Sequence, residues 1–189
     1  MEEKSIDANE SLLIIQNMIS KTQRRYSDDS FYFLMWGWLV FVSSLAHFCL
    51  MQLDIEQAPM VWLLMPLGGI VTVIYSVKQS KKETIKTYVD TYMNYLWIAM
   101  GLAMVFVLSM SFKLGINTYP VLLLIYGIGT FVSGGLISFK PLIIGGIVCF
   151  MLSATAFFVS FEIQLLFIAA SMLASYIIPG HLLKAKFKN

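Results

Sequence analysis

The side chains able to do chemistry in this 189-residue chain are sparse and scattered. His47 stands near Cys49 and four residues before Met51. A metal or haem centre needs further ligands, which the surrounding residues do not offer, so His47 is expected to be a polar packing residue. Cys49 and Cys149 both fall inside apolar blocks and read as small buried hydrophobes rather than as a disulfide or ligand pair. No H-E-x-x-H helix and no intramembrane pair of aspartates is present, and serine with histidine alone does not make a nucleophilic dyad. Ser153, Thr155 and Ser160 can bond to nearby backbone carbonyls without a substrate. The expectation is a protein that is not an enzyme, with no cofactor and no metal.

The elements that carry these residues are apolar blocks. Hydrophobic residues make up 58% of the chain and charged residues 13%, about half the charged share of a soluble domain. Six blocks, at 31–53, 58–77, 93–112, 119–139, 141–160 and 163–183, each approach the roughly 20 apolar residues that span a hydrocarbon core. Glu162 interrupts the last two, and a turn at 161–164 would keep it at the interface. The expected fold is all-α, a polytopic membrane bundle of six helices. Residues 1–30 precede it as a cytoplasmic amphipathic helix and hinge, and 184–189 follow it as a basic tail. The polar start and the lack of an apolar run before residue 31 point to an uncleaved first span.

The basic residues orient these spans. With the N-terminus inside, Lys4, Lys21, Arg24, Arg25, Lys78, Lys81, Lys82, Lys86, Lys140, Lys184, Lys186 and Lys188 face the cytoplasm, and of the 13 Lys and Arg residues only Lys113 faces out. This places the chain in a plasma (inner) membrane with both termini cytoplasmic. Asp54, Glu56 and Glu162 fall on the outer side. Trp36, Tyr92, Tyr95 and Tyr176 sit toward inner ends, and Trp62 and Tyr119 toward outer ends, where amphipathic rings anchor at headgroup depth or pack against the bundle.

Two cytoplasmic stretches offer polar surface. Residues 7–26 carry an apolar stripe of Leu12, Ile15 and Ile19, followed by Lys21, Arg24 and Arg25, which suit anionic headgroups and the helix dipole. In the 78–90 loop, Ser80 and Glu83 have capping-box spacing, which extends the third span inward from Lys81. Lys82 and Lys86 are like charges at i,i+4, relieved where anionic groups face Lys78, Lys81, Lys82 and Lys86. Membrane lipids, above all anionic ones, are the expected partners, with a cytoplasmic or membrane protein and a second copy as further partners. Nucleic acid is not expected at a net charge of +2.

Inside the spans no Asp, Glu, Lys or Arg occurs apart from the interfacial Glu162, which argues against ion-coupled transport. Pro66 is expected to kink the second span just before Gly68 and Gly69. Gly129, Ser133 and Gly134 form a small-residue stretch that permits close helix approach in the fourth. Pro179-Gly180 should weaken or end the sixth span. Val40-Phe41-Val42 recurs as Val105-Phe106-Val107, and Gly68-Gly69-Ile70 resembles Gly134-Gly135-Leu136, a pattern that a parallel duplication would leave. The leading functional expectation is a small scaffold, regulatory or sensory subunit that contacts lipids or a protein through its cytoplasmic face. The alternative is a transporter or channel for a neutral or hydrophobic solute, with a cavity near Pro66, Gly129 and Ser153.

Overall fold

The computed structural model describes Leu12, Leu13, Gln16 and residues 30–80 and 88–186. It is an all-α bundle with no strand among the described residues: α1 (Ser30–Gln52), α2 (Leu64–Ser80), α3 (Tyr88–Ser109), α4 (Thr118–Leu136), α5 (Lys140–Ala156), α6 (Phe161–Met172) and α7 (Ile178–Lys186). A 3-10 segment, Ala58–Leu63, leads into α2, and a π turn, Leu173–Ile177, fuses α6 to α7. Five stretches are long and apolar enough to cross a membrane: Ser30–Gln52, Ala58–Lys78, Tyr88–Ser109, Ser111–Leu136 and Phe161–Lys186. The sixth, α5, has 17 residues and is about 25 Å long.

Neighbouring helices run antiparallel. Along α4 and α5, the glycine Gly134 meets Ile143, Gly146 meets Phe131, and Gly127 meets Phe150. At the far end the Ser153 hydroxyl donates to the Pro120 carbonyl at 2.8 Å. Short as it is, α5 therefore runs the full depth of α4. Along α1 and the α6–α7 rod, Gly37 lies against Tyr176 and Ile177, Gly180 against Leu34, and the Ser44 hydroxyl bonds to the Leu165 carbonyl. Along α1 and α2, Phe31 stacks on Tyr75 and Trp36 Nε1 donates to Thr72 Oγ1 at 3.0 Å. The core is built from Phe33, Val40, Met93, Leu123, Leu142, Met172 and Tyr176.

Turn chemistry explains why the helices stop where they do. After α1, the Ile55 N–H donates to the Leu50 carbonyl at 3.1 Å and the Asp54 N–H to Met51 at 3.0 Å. After α4, the Phe139 N–H donates to Gly134 at 2.8 Å and the Ser138 N–H to Gly135 at 3.2 Å. Both are Schellman closures, which need a left-handed residue; Asp54 and Ser138 supply it at φ 53° and 54°. A non-glycine residue is uncommon there, which is why these turns carry no glycine signal.

Within the span Ala58–Lys78, Pro66 sits in the first turn of α2, just after the 3-10 segment, where the helix is changing pitch and a missing N–H is readily absorbed. Several expectations need correction. The turn between the fifth and sixth spans lies at 157–160 rather than 161–164. The Gln164 side-chain amide fixes it, donating to the Ala156 carbonyl at 3.0 Å and to Val159 at 3.4 Å, so α5 ends early. Glu162 then falls in the first turn of α6, where the helix dipole favours a carboxylate. Pro179-Gly180 does not end the sixth span, because the π turn just before Pro179 changes the backbone bonding and the helix continues to Lys186. The third span ends at Ser109 instead of residue 112. The repeated tripeptides occupy unlike surroundings, Val40 being buried where Val105 is exposed, and Gly68 facing α1 where Gly134 faces α5.

Candidate functional site

The faces of the bundle, its interior and its two ends have different chemistry. Large apolar side chains cover the sides: Ile70, Val73, Ile74 and Val77 on α2, and Leu102, Val105 and Phe106 on α3, are all exposed. Soluble monomers rarely expose apolar surface on this scale, whereas lipid covers it at no penalty.

Between its ends the interior is polar without being charged; the buried Asp90 lies at one end, in the first turn of α3. Tyr126, Thr130 and Ser133 repeat along one face of α4 at helical spacing. Tyr126 meets Tyr176 edge-on with ring centroids 5.9 Å apart, and Phe33 lies 5.8 Å from Tyr176 on the other side. The π turn brings Ser175 and Tyr176 inward together, Ser175 against Gly145 and Tyr176 against Gly37. Most of these hydroxyls bond within their own helix: Thr130 donates to the Tyr126 carbonyl at 2.7 Å, Ser171 to Ile168 at 2.7 Å, and Ser175 to Ser171. The Ser133 hydroxyl is buried without a hydrogen bond, and the buried Tyr176 hydroxyl lies beside Thr130 without a well-formed one. Of the two roles its sequence position allows, interfacial anchoring and packing, Tyr176 has the second: it is a core residue, carried inward by the π turn.

The sites expected from sequence separate. Gly129 faces α3, where the Met100 thioether fills the space its missing side chain leaves. Gly134 meets the backbone of Ile143. Ser133 is fully buried on the interior face, and Gly68 takes the Leu39 side chain while Gly69 is open. Pro66 is exposed on α2, Gly129 faces α3 and Ser153 is bonded to α4. Cys49 is exposed on α1 and Cys149 is buried on α5, and neither is in a disulfide. Among the described residues no three His, Cys, Asp or Glu side chains are grouped together.

One end of the bundle gathers aromatic rings. Trp62 Nε1 donates to His47 Nδ1 at 2.9 Å, so that nitrogen carries no proton in this arrangement. Phe161 approaches His47 at 5.8 Å and Tyr119 at 5.1 Å, closing a four-ring cluster. Asp54, Glu56, Lys113 and Glu162 lie at this end, beside the turns that leave α1 and enter α4 and α6. The opposite end carries Lys78, Lys140, Lys184 and Lys186, together with the buried Asp90. Lys186 reaches over the Phe139 ring at 5.6 Å, joining the end of α7 to the α4–α5 turn. Lys184 and Lys186 also complement the C-terminal dipole of α7. Lys21, Arg24, Arg25, Lys81, Lys82 and Lys86 lie outside the described residues. Of the 7–26 helix only Leu12, Leu13 and Gln16 are described; they are helical, with both leucines exposed.

Apolar flanks, an uncharged interior and charged ends together define a multi-pass helical membrane protein. No family model, curated protein or solved structure matches the chain.

Proposed function

We propose that this protein is a non-enzymatic scaffold, regulatory or sensory subunit of a plasma (inner) membrane, with both termini cytoplasmic. Its lysine-rich end contacts anionic lipids or a protein partner. The observation that carries this reading is the division of charge: Lys78, Lys140, Lys184 and Lys186 share one end, while Lys113 stands among acids at the other. Cytoplasmic faces are enriched in Lys and Arg in this way. A transporter reading has less support, because Gly129 and Ser153, two of the residues expected to line a path, are occupied by Met100 and the Pro120 carbonyl.

Crosslinking in native membranes followed by purification tests the proposal. A heteromeric partner or a phospholipid should be captured from the lysine-rich end. Capture should fall when Lys78, Lys81, Lys82 and Lys86 are together replaced by Gln. Recovery of the protein alone under several mild detergents, together with solute flux in proteoliposomes, would overturn it.

A further inference from the structure

α2 is the least embedded of the helices. It joins the bundle chiefly through α1 and its own 3-10 lead-in, and only 6% of its central window is buried. The two helices touch at spaced points: Phe31 on Tyr75, Trp36 on Thr72, Leu39 at Gly68 and His47 on Trp62. On one side of this hairpin they leave an open groove of about 710 Å³, walled by Phe31, Leu34, Trp38, Val42, Leu67 and Val71. Apart from Ser43, every side chain lining it is apolar.

The length and ends of the groove are selective. It begins at Phe31, beside the Phe31–Tyr75 ring pair whose centroids are 4.4 Å apart. It extends to Ser43, near the middle of α1. Twelve residues of helix cover about 18 Å, close to one leaflet's share, about 15 Å, of the hydrocarbon core. A second transmembrane helix would need a furrow of the full depth; an acyl chain entering from one leaflet needs half. Beyond the Phe31 end, outside the lining itself, α2 carries a lysine. Along α2 the stripe Leu64, Leu67, Val71 continues at helical spacing to Tyr75 and Lys78, and Lys78 is exposed in the last turn.

We propose that the α1/α2 groove holds one acyl chain of an anionic phospholipid from the leaflet at the lysine-rich end, with the headgroup phosphate on Lys78. This deepens the lipid-contact reading above and rests on it for which leaflet supplies the lipid. The aromatic pair sits at headgroup depth, the wall excludes water from the chain, and the lysine selects charge.

Native mass spectrometry of the full chain in mild detergent tests the site, with phosphatidylglycerol or phosphatidylcholine of identical chains added. One phosphatidylglycerol should be retained per protein, and Lys78→Gln should lower its retention about fivefold, toward that of phosphatidylcholine, the effect of one lysine near an anionic surface. Leu67→Trp should fill the groove and abolish retention of both lipids, as should Val42→Trp on the opposite wall, which serves if Leu67→Trp does not fold. Leu102→Trp, on the exposed face of α3, should retain lipid as the unaltered protein does. Equal retention by the groove variants and the unaltered protein, or equal loss with Leu102→Trp, would overturn the site. So would Lys78→Gln without effect. Because retention is read in detergent, it is independent of orientation and of any protein partner. An empty groove alongside a captured partner would sink the lipid site and leave the scaffold reading standing.

Discussion

Gly145→Ala is expected to lower the unfolding free energy of the solubilised protein by about 3 kcal/mol, the upper part of the usual overpacking range. A Cβ at this position would meet the Ser175 Cα at 2.6 Å and the Ala174 carbonyl oxygen at 2.7 Å. Both are backbone atoms in the π turn, so no side chain can rotate away. Relief requires α5 and the α6–α7 rod to separate, which also loosens Cys149 and Met172, both fully buried. Gly69→Ala and Gly101→Ala are the contrast. Nothing lies within 4 Å of a Cβ at either position, so each should be neutral or stabilise its helix by up to about 1 kcal/mol. Unfolding in mixed micelles measures all of these. Equal effects at Gly145 and Gly69 would mean that α5 does not pack on the π turn as described.

Tyr176 separates packing from hydrogen bonding. The side chain is 1% exposed, and its hydroxyl makes no well-formed hydrogen bond, with the Thr130 hydroxyl as the group beside it. Tyr176→Ala should cost about 3–5 kcal/mol, as removal of large buried rings does, because Phe33, Tyr126 and Gly37 would then face a cavity. Tyr176→Phe should instead leave stability unchanged or raise it by about 1 kcal/mol, since it removes a buried hydroxyl that no well-formed bond satisfies. A loss above about 1 kcal/mol in Tyr176→Phe would show that the hydroxyl is bonded within the bundle, to Thr130 or to water. The same variants probe the π turn, whose extra residue is what aims Tyr176 inward.

The broad fold is written in the sequence because a bilayer demands length and apolarity, and these are read residue by residue. The ends of the helices are less legible. Asp54 and Ser138 close their helices in a conformation that glycine would have advertised, and Gln164 ends α5 through a contact eight residues back along the chain. The π turn has no signature beyond the proline that follows it. Small residues mark close approach at Gly68, Gly129 and Gly134 but not at Gly69, and they do not tell which helices approach. Gly129 and Gly134 lie five residues apart on α4 yet face α3 and α5 respectively. The α1/α2 groove was beyond sequence reading, since it depends on how the register of two helices sets Phe31, Gly68 and Val71 along one furrow. Its mouth carried a signal all the same: Lys78 is among the residues that charge alone marks for lipid contact.

Six crossings with a cytoplasmic lysine-rich end form the central claim, and α5, the shortest helix, is where it is most exposed to test. Thiol labelling in intact cells reads it directly, with Cys49 and Cys149 replaced by Ala and single cysteines placed at Ser138 and Val159, the two turns that bound α5. A membrane-impermeant reagent should label Val159→Cys from outside and should reach Ser138→Cys only after the membrane is opened. Labelling of both from the same side would contradict the account, because α5 would then not cross and the charge division would lose its meaning.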